Sequence, residues 1–568
     1  MTPPQTEEAS KAVSGMELTF LLLLLAGLYY PLTWSELAGF MGDDAVYLLV
    51  ADSFSPWIGE PGEVARYISG VTLFPPMYSF VLGFFGGGSQ NVPLSHAITT
   101  TFWLGALGVY GVWVGRVVGS WRWALGLLLL VGLAPGVLLH SLEIWSELPY
   151  LFFILSVYLL AESWPKPGRE GDGVGDGVGG GAGGRVQLVG GRTILWAMAL
   201  MMGLALLTRT AALSLVAAFG VWILLKKNGR AWPFVVIALL PWLVWEGVGR
   251  VSESGGYGGM LLGGMMADPG GWLLETVAQG EVMWEGWLKI FHFEPGVFTK
   301  WTAGVVLVLG LGGHWLRMGA GGIEAWQTPF YLGMILIWRF PDFMHRFLLV
   351  LFPVILLHAF LFAGWLEGRF LGAGKGRTGE GTGAEVFSSG RGGAVGGVAP
   401  IRGGLLAMVL VSFLAPWSMM VQRYMTPLPA HLEAFRKSRY WLNNEEPGEV
   451  IKEIESRYQL NEAVAGMFKA VPPGECVYAL FTPHTMFYGD RVTIRPPPEE
   501  VDKRGFKAGT RACDFFFMTA NPGPKGYSAP FYPLQRLPPP LTILATDNKH
   551  HLLVRWTGEG GKASNQVR

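Results

Sequence analysis

The dominant pattern in the chain is a succession of long apolar stretches, at 16–34, 94–115, 123–140, 147–162, 194–209, 210–225, 232–248, 299–316, 323–338, 347–366 and 404–421. Each approaches the roughly 20 residues that a bilayer core requires of a spanning helix. They predict a polytopic α-helical membrane protein with about eleven transmembrane helices. The first stretch reads as a retained helix and not as a cleaved leader, because no small-x-small site follows it and many further spans do. A shorter piece, "LFPPMYSFVLGFF" at 73–85, carries a Pro-Pro pair and is too brief to cross. It predicts an interfacial or re-entrant helix.

The pattern changes near residue 422, where charged and Pro-rich sequence replaces the apolar runs. Between 459 and 494 the polarity predicts an amphipathic helix, a turn, the short strand "CVYALF", a second helix and another strand. "CDFFFMTA", "LTILATD" and "HLLVRWT" predict further strands. The expected organisation is therefore a transmembrane domain over 1–421, with a large loop at 35–93, and a small α/β domain over 422–568. Two Gly-rich tracts, within 166–192 and 367–402, lack the large apolar side chains that would offset the entropy of ordering, and they predict flexible inserts. The segment "GAGKGRTGEG" in the second lacks the spacing of a phosphate-binding loop. No self-similar halves are visible.

Composition agrees with the pattern: 51% of the 568 residues are hydrophobic, 15% are charged, and the formal net charge is zero. No basic excess points to nucleic acid. Lys and Arg decide sidedness. With the N-terminus inside, cytoplasmic connections carry about fifteen of them and the opposite loops about six, as the positive-inside rule requires. An odd number of spans then places 422–568 outside. Cys476 and Cys513 are the only cysteines. They form no zinc pattern, and a disulfide in an oxidising compartment or two unpaired core thiols are both open.

Candidate chemistry collects in the loops assigned to the outside. "GDDAVYLLVADSF" sets Asp43 beside Asp44, with Tyr47 four residues after the first. Helix capping explains one carboxylate better than two. Adjacent carboxylates repel, which favours the protonated form of one and suits general-base work. Glu143 and Glu147, four apart in "HSLEIWSELPYLFF", share a face if both lie on one helix. Arg209 falls between two apolar runs. Arg346 follows His345 beside "FPDFMH", and Arg66 lies in the 35–93 loop. An arginine at such a level either snorkels to headgroups or holds a phosphate through paired charge-assisted hydrogen bonds. No His/Cys/Asp cluster has metal-ligand spacing.

Taken in order, these segments resemble the membrane-embedded glycosyltransferases of superfamily C, which include lipid A aminoarabinose transferases and protein O-mannosyltransferases. "GDDAVYLLVADSF" resembles that family's Asp-Asp/Glu-x-x-Tyr motif, and "LFPPMYSFVLGFF" its Pro-Pro segment. "WSELPYLFFILSVYLLAE" is similar to its Ser/Thr-Glu/Asp helix start, "MMGLALLTRTAALSLVAAFGVWILLKK" to its "GLALLTRP" helix pair, and "HRFLLVLFPVIL" to its "RYLLPLLPLL" helix. "NEAVAGMFKAVPPGECVYALFTPHTMFYGDR" is similar to its outer domain. Two positions depart: Phe74 stands where some members carry a Lys before the Pro-Pro pair, and Thr210 stands where the family has Pro.

The resemblance implies transfer of a sugar from a polyprenyl-phosphate carrier to an acceptor on the extracytoplasmic face, with inversion. The acceptor would be a glycan, lipid or protein, and the setting the bacterial inner membrane. Asp43 would be the general base, with Asp44 beside it. Arg346, Arg209 and Arg66 would be candidate phosphate contacts, in that order. Glu147 would bind acceptor or sugar hydroxyls, with Glu143, Tyr47 and His345 in the same substrate-binding set. No organic cofactor is implied, and the paired acids leave room for a divalent metal. A transporter or lipid-carrier flippase is the competing class, and a catalytically silent scaffold a third. Acids clustered at loop boundaries, and not deep within spans, favour the enzyme.

Overall fold

The computed structural model describes residues 5–38, 43–71, 74–164, 183–226, 228–251, 269–292, 295–337, 344–370, 400–442, 447–479, 482–494, 513–519, 541–546 and 551–556. The core of both Gly-rich tracts, including "GAGKGRTGEG", lies outside these residues. So do Glu294 and Arg339. The chain divides into two compact units, Met1–Thr33 with Leu73–Tyr78 and Ala97–Met420, and Trp34–Thr72 with Ser79–His96 and Val421–Arg568.

The first unit is helical, and every one of the eleven apolar stretches falls on helix. Among the described residues, five helices have the length and apolarity to cross a membrane: Gly15–Thr33, Val92–Val118, Gly191–Thr208, Val297–Gly319 and Pro400–Met425. A bent pair makes a sixth if counted as one span. Other stretches form shorter helices, such as Glu147–Glu162, Leu213–Leu225 and Ile323–Ile337, and 347–366 falls mostly on Phe352–Phe370. Residues 183–192, expected to be insert, are instead the first turns of Gly183–Thr208.

Prolines set the breaks. The stretch 123–140 is two helices, Trp121–Gly132 and Pro135–Ser141, bent by 58°. Ala134 precedes Pro135 and takes the extended backbone (φ −61°, ψ 123°) into which a following proline forces its neighbour, while Pro135 starts the next helix. The stretch 347–366 breaks in the same way between Met344–Leu349 and Phe352–Phe370, with Pro353 in the first turn of the second helix. Close packing depends on small residues. A Cβ added at Gly313 would lie 1.8 Å from the carbonyl oxygen of His358, and one at Gly310 would lie 2.6 Å from Ile355. Helices Val297–Gly319 and Phe352–Phe370 thus approach backbone to backbone.

The second unit contains a five-stranded mixed sheet in the order β2-β1-β3-β5-β4, with β1 Val477–Tyr478, β2 Thr493–Ile494, β3 Phe515–Thr519, β4 Leu541–Thr546 and β5 His551–Trp556. β1 runs parallel to β2 and β3, and β5 pairs antiparallel with β3 and β4. The strand alternation sorts side chains by face. Val477, Phe515, Phe517 and Leu553 pack on Val464, Met467 and Phe468 from the helix Pro447–Met467 and the turn after it. On the opposite face Tyr478 stacks on Phe516, at 5.1 Å between ring centroids, and Cys476 and Cys513 form a disulfide. The parallel pairing of β1 and β3 brings the two cysteines together, which resolves the alternatives left open by the sequence.

This unit also takes in Trp34–Thr72 and Ser79–His96. The Tyr488 hydroxyl donates to the Ala38 carbonyl (2.7 Å), the Gly474 N–H to a Glu63 carboxylate oxygen (3.1 Å), and the Lys437 ammonium to the Trp34 carbonyl (3.0 Å). Between residues 34 and 96, helices Asp43–Phe54, Glu63–Val71 and Met77–Phe84 form, the last at the Pro-Pro piece expected to be an interfacial helix.

Candidate active site

In the first unit, a chain break and a helix start converge on one carboxylate. The helix Glu147–Glu162 carries Pro149 in its first turn, where a missing N–H costs nothing. Pro149 thereby fixes the start of the helix at Glu147. Glu143 lies before that start, in the turn after Pro135–Ser141, with its N–H on the His140 carbonyl. The expectation that Glu143 and Glu147 share a helix face is therefore corrected, although both side chains are buried.

Glu147 is wholly buried and takes two guanidiniums on one oxygen. Its Oε1 lies 2.6 Å from Arg209 and accepts from the Arg346 Nε at 2.8 Å. Arg209 reaches it from the gap between two helices, at a residue with extended backbone (φ −153°, ψ 133°) that ends Gly183–Thr208. There its guanidinium also donates to the Ser146 hydroxyl at 3.1 Å. Arg346, on the short helix Met344–Leu349, lies with its guanidinium carbon 3.9 Å from the centre of the Trp145 ring. His140 packs on the same ring, 4.4 Å between centroids, with its Nε2 3.7 Å from Glu147 Oε2. His345 is buried next to Arg346 in sequence.

Two guanidiniums meet one carboxylate in a buried setting. That arrangement pre-organises paired N–H donors of the kind that match a phosphate, and the aromatic face adds to the hold on the cation. Of the residues picked from sequence, Glu147, Arg209 and Arg346 come together. His140 and Ser146 were not picked. Their proximity depends on the bend at Pro135 and on the turn 142–146, which no local periodicity marks.

The remaining residues from the sequence reading lie in the second unit. Asp43 and Asp44 are the first two residues of helix Asp43–Phe54, where acidic side chains meet the positive end of the helix dipole. Asp44 is buried and accepts the Ala45 N–H at 3.1 Å, and Tyr47 is buried one turn on. This helix packs on Thr482–Gly489, whose Tyr488 phenol is held protonated well above its ordinary range, first by burial and then by the nearby charge of Asp44. Tyr488 therefore remains a donor to the Ala38 carbonyl. His484, 4.9 Å from the Tyr488 ring, pairs through Nε2 with Asn461 at 2.6 Å. Arg66 is exposed on Glu63–Val71. Among the described residues, no group of three or more His, Cys, Asp or Glu side chains is gathered as a metal site requires.

No family model matches the chain, and no curated protein matches it by sequence. Its fold is similar to solved structures. One is ArnT from Cupriavidus metallidurans bound to undecaprenyl phosphate, at 14% identity and TM-score 0.45, over 96% of this chain and 98% of that one. Another is the archaeal oligosaccharyltransferase AglB from Archaeoglobus fulgidus, in complex with an inhibitory peptide and a dolichol-phosphate. It aligns at 11% identity and TM-score 0.44, over 90% of this chain and 70% of that one.

Proposed function

We propose that the chain is a membrane glycosyltransferase that moves a sugar from a polyprenyl-phosphate carrier to an acceptor on the extracytoplasmic face. The observation that carries the reading is the buried Arg346–Glu147–Arg209 cluster, in which two guanidiniums are fixed on one carboxylate oxygen. A phosphate monoester or diester anion is the natural complement of such a cluster. A sugar phosphate leaving from the anomeric carbon needs charge stabilisation on its oxygens more than it needs a proton donor. Glu147 holds both guanidiniums in place through Oε1, and its Oε2 remains for the acceptor or sugar hydroxyl that the resemblance implied.

In this reading Asp43 takes the proton of the acceptor hydroxyl or amine as that atom attacks the anomeric carbon. The bond to phosphate oxygen breaks on the opposite side, so the configuration inverts. The Asp-Asp-x-x-Tyr sequence at the start of a helix supports Asp43 in this role. The Cys476–Cys513 disulfide supports placing the C-terminal segment on the oxidising side of the membrane. With the positive-inside count, the acidic helix belongs to the same side.

The test is transfer in membrane vesicles, using a panel of radiolabelled polyprenyl-phosphate sugars with and without chelator. Label should pass to an acceptor and release polyprenyl phosphate, with Arg346→Ala raising the donor KM. Transport of intact labelled carrier across the vesicle membrane, without sugar release, would instead identify a flippase.

A further inference from the structure

The second unit carries an aromatic surface that the proposed chemistry does not use. Phe54 ends helix Asp43–Phe54, Trp57 follows it in the next turn, and Phe80, Phe84 and Phe85 come from helix Met77–Phe84 and its end. The four phenylalanine rings form a continuous chain: Phe54 to Phe80 at 5.8 Å, Phe80 to Phe84 at 5.8 Å and Phe84 to Phe85 at 5.3 Å between centroids. All five are exposed, Trp57 at 74% and Phe85 at 62% of their full surface. Large aromatics clustered and open to solvent mark an interaction site.

The backbone beneath the patch is fixed. A Cβ at Gly83 would lie 2.1 Å from the Ala51 carbonyl oxygen, so the two helices touch backbone to backbone. The Trp57 indole N–H donates to the Phe84 carbonyl at 2.9 Å. Beyond the patch the chain turns tightly: Gly86 and Gly87 donate to Gly83 and Leu82, and Asn91 to Gly88. Gly88 is left-handed (φ +127°), and Asp52 accepts from the backbone N–H and the hydroxyl of Ser89. Burial raises the pKa of Asp52 above its ordinary value, and the two Ser89 bonds oppose that rise.

That turn decides what the patch meets. It ends at Val92, the first residue of a helix long and apolar enough to cross a membrane. The tightly bonded turn 86–91 therefore joins the aromatic patch to the start of that helix through only six residues. Where such a helix meets the membrane surface, Trp is the favoured interfacial residue, and Phe occupies the apolar face that interfacial helices bury among the upper acyl chains.

We infer that Phe54, Trp57, Phe80, Phe84 and Phe85 form a wedge that inserts into the membrane interface and anchors the acidic helix there. Phe54 is the last residue of the helix that begins at Asp43. The anchored end and Asp43 are thus separated by a rigid helix of about 16 Å. The inference does not depend on the reaction proposed above.

The test uses the full chain in liposomes. With both native cysteines in a disulfide, Phe84→Cys supplies a single free thiol for an environment-sensitive fluorophore. Trp57→Cys gives a second position should the first disturb packing. Lys452→Cys, on the 74%-exposed side chain of helix Pro447–Met467, is the control. Labels at 84 and 57 should be dimmed about twofold by lipids carrying a quencher near the top of the acyl chain and shielded from aqueous iodide, with the reverse at 452. Free quenching by iodide at 84 and 57 would overturn the inference. So would shielding from both quenchers, which would mean that protein, such as a second copy, covers the wedge.

Discussion

Replacing Glu147 by Gln tests whether the buried charge cluster holds the first unit together as its geometry implies. The substitution keeps the shape and one acceptor oxygen but removes the charge that balances Arg209 and Arg346. Leaving a buried ion without its partner costs about 3–5 kcal/mol. The two arginines do not share that cost equally. The Arg346 side chain is 3% exposed, while Arg209 at 16% recovers part of its hydration. Gln still accepts one hydrogen bond, so the lower end of the range applies, about 3 kcal/mol. The assay is reversible unfolding by SDS titration of the purified protein in mixed micelles. Glu147→Gln/Arg346→Gln should recover about half the loss, because the stranded guanidinium is gone, and Arg209→Gln alone should cost about 1–2 kcal/mol. A Glu147→Gln protein within about 1 kcal/mol of the wild type would refute the reasoning, since the carboxylate would then not balance buried charge.

Three further outcomes are expected. Asp52→Asn should change the pH dependence of thermal stability. A folded-state pKa raised by burial means that the neutral carboxyl stabilises fully below the ordinary aspartate value, and that this stability is lost as pH rises through the raised value. The wild type should therefore lose Tm relative to Asp52→Asn as pH rises from the ordinary aspartate value through the raised one, as read by scanning fluorimetry over a pH series. A wild-type advantage that grows with pH would contradict the sign. Reduction of the Cys476–Cys513 bond, which closes 37 residues, should cost the second unit up to about 4 kcal/mol, seen as faster proteolysis after β1 with dithiothreitol than without. Gly313→Leu should force helices Val297–Gly319 and Phe352–Phe370 apart and destabilise the protein by about 3 kcal/mol or more in the SDS titration, whereas Gly319→Leu, with open space at its Cβ, should not.

Much of the architecture was legible because bilayers and sheets impose simple periods. Long uniformly apolar runs mark buried or lipid-facing helices whatever their neighbours, and the short aromatic or branched runs "FFFMT" and "HLLVRW" mark buried strands. Breaks were less legible. The kink before Pro135 and the helix start ahead of Pro149 depend on where a missing N–H can be tolerated, and together they separate Glu143 from Glu147. Spacing by four suggested one face, and Pro149 outweighed it. The pairing of Arg209 and Arg346 with Glu147 joins residues up to 199 positions apart, beyond any local pattern. Their candidacy was readable only from the cost of charge near apolar sequence. The union of Trp34–Thr72 and Ser79–His96 with the C-terminal residues rests on single hydrogen bonds such as Tyr488 to Ala38, which leave no trace in composition.

Sugar transfer with Asp43 as base is read out by the initial rate of transfer from a radiolabelled polyprenyl-phosphate sugar in vesicles. Wild type, Asp43→Asn and Asp44→Asn should be compared at equal expression. Asp43→Asn should lose more than about 4 kcal/mol of transition-state stabilisation, roughly a thousandfold in rate, with donor KM little changed. Transfer by Asp43→Asn at the wild-type rate would contradict the account, as would a wild-type protein that moves no sugar from any donor in the panel.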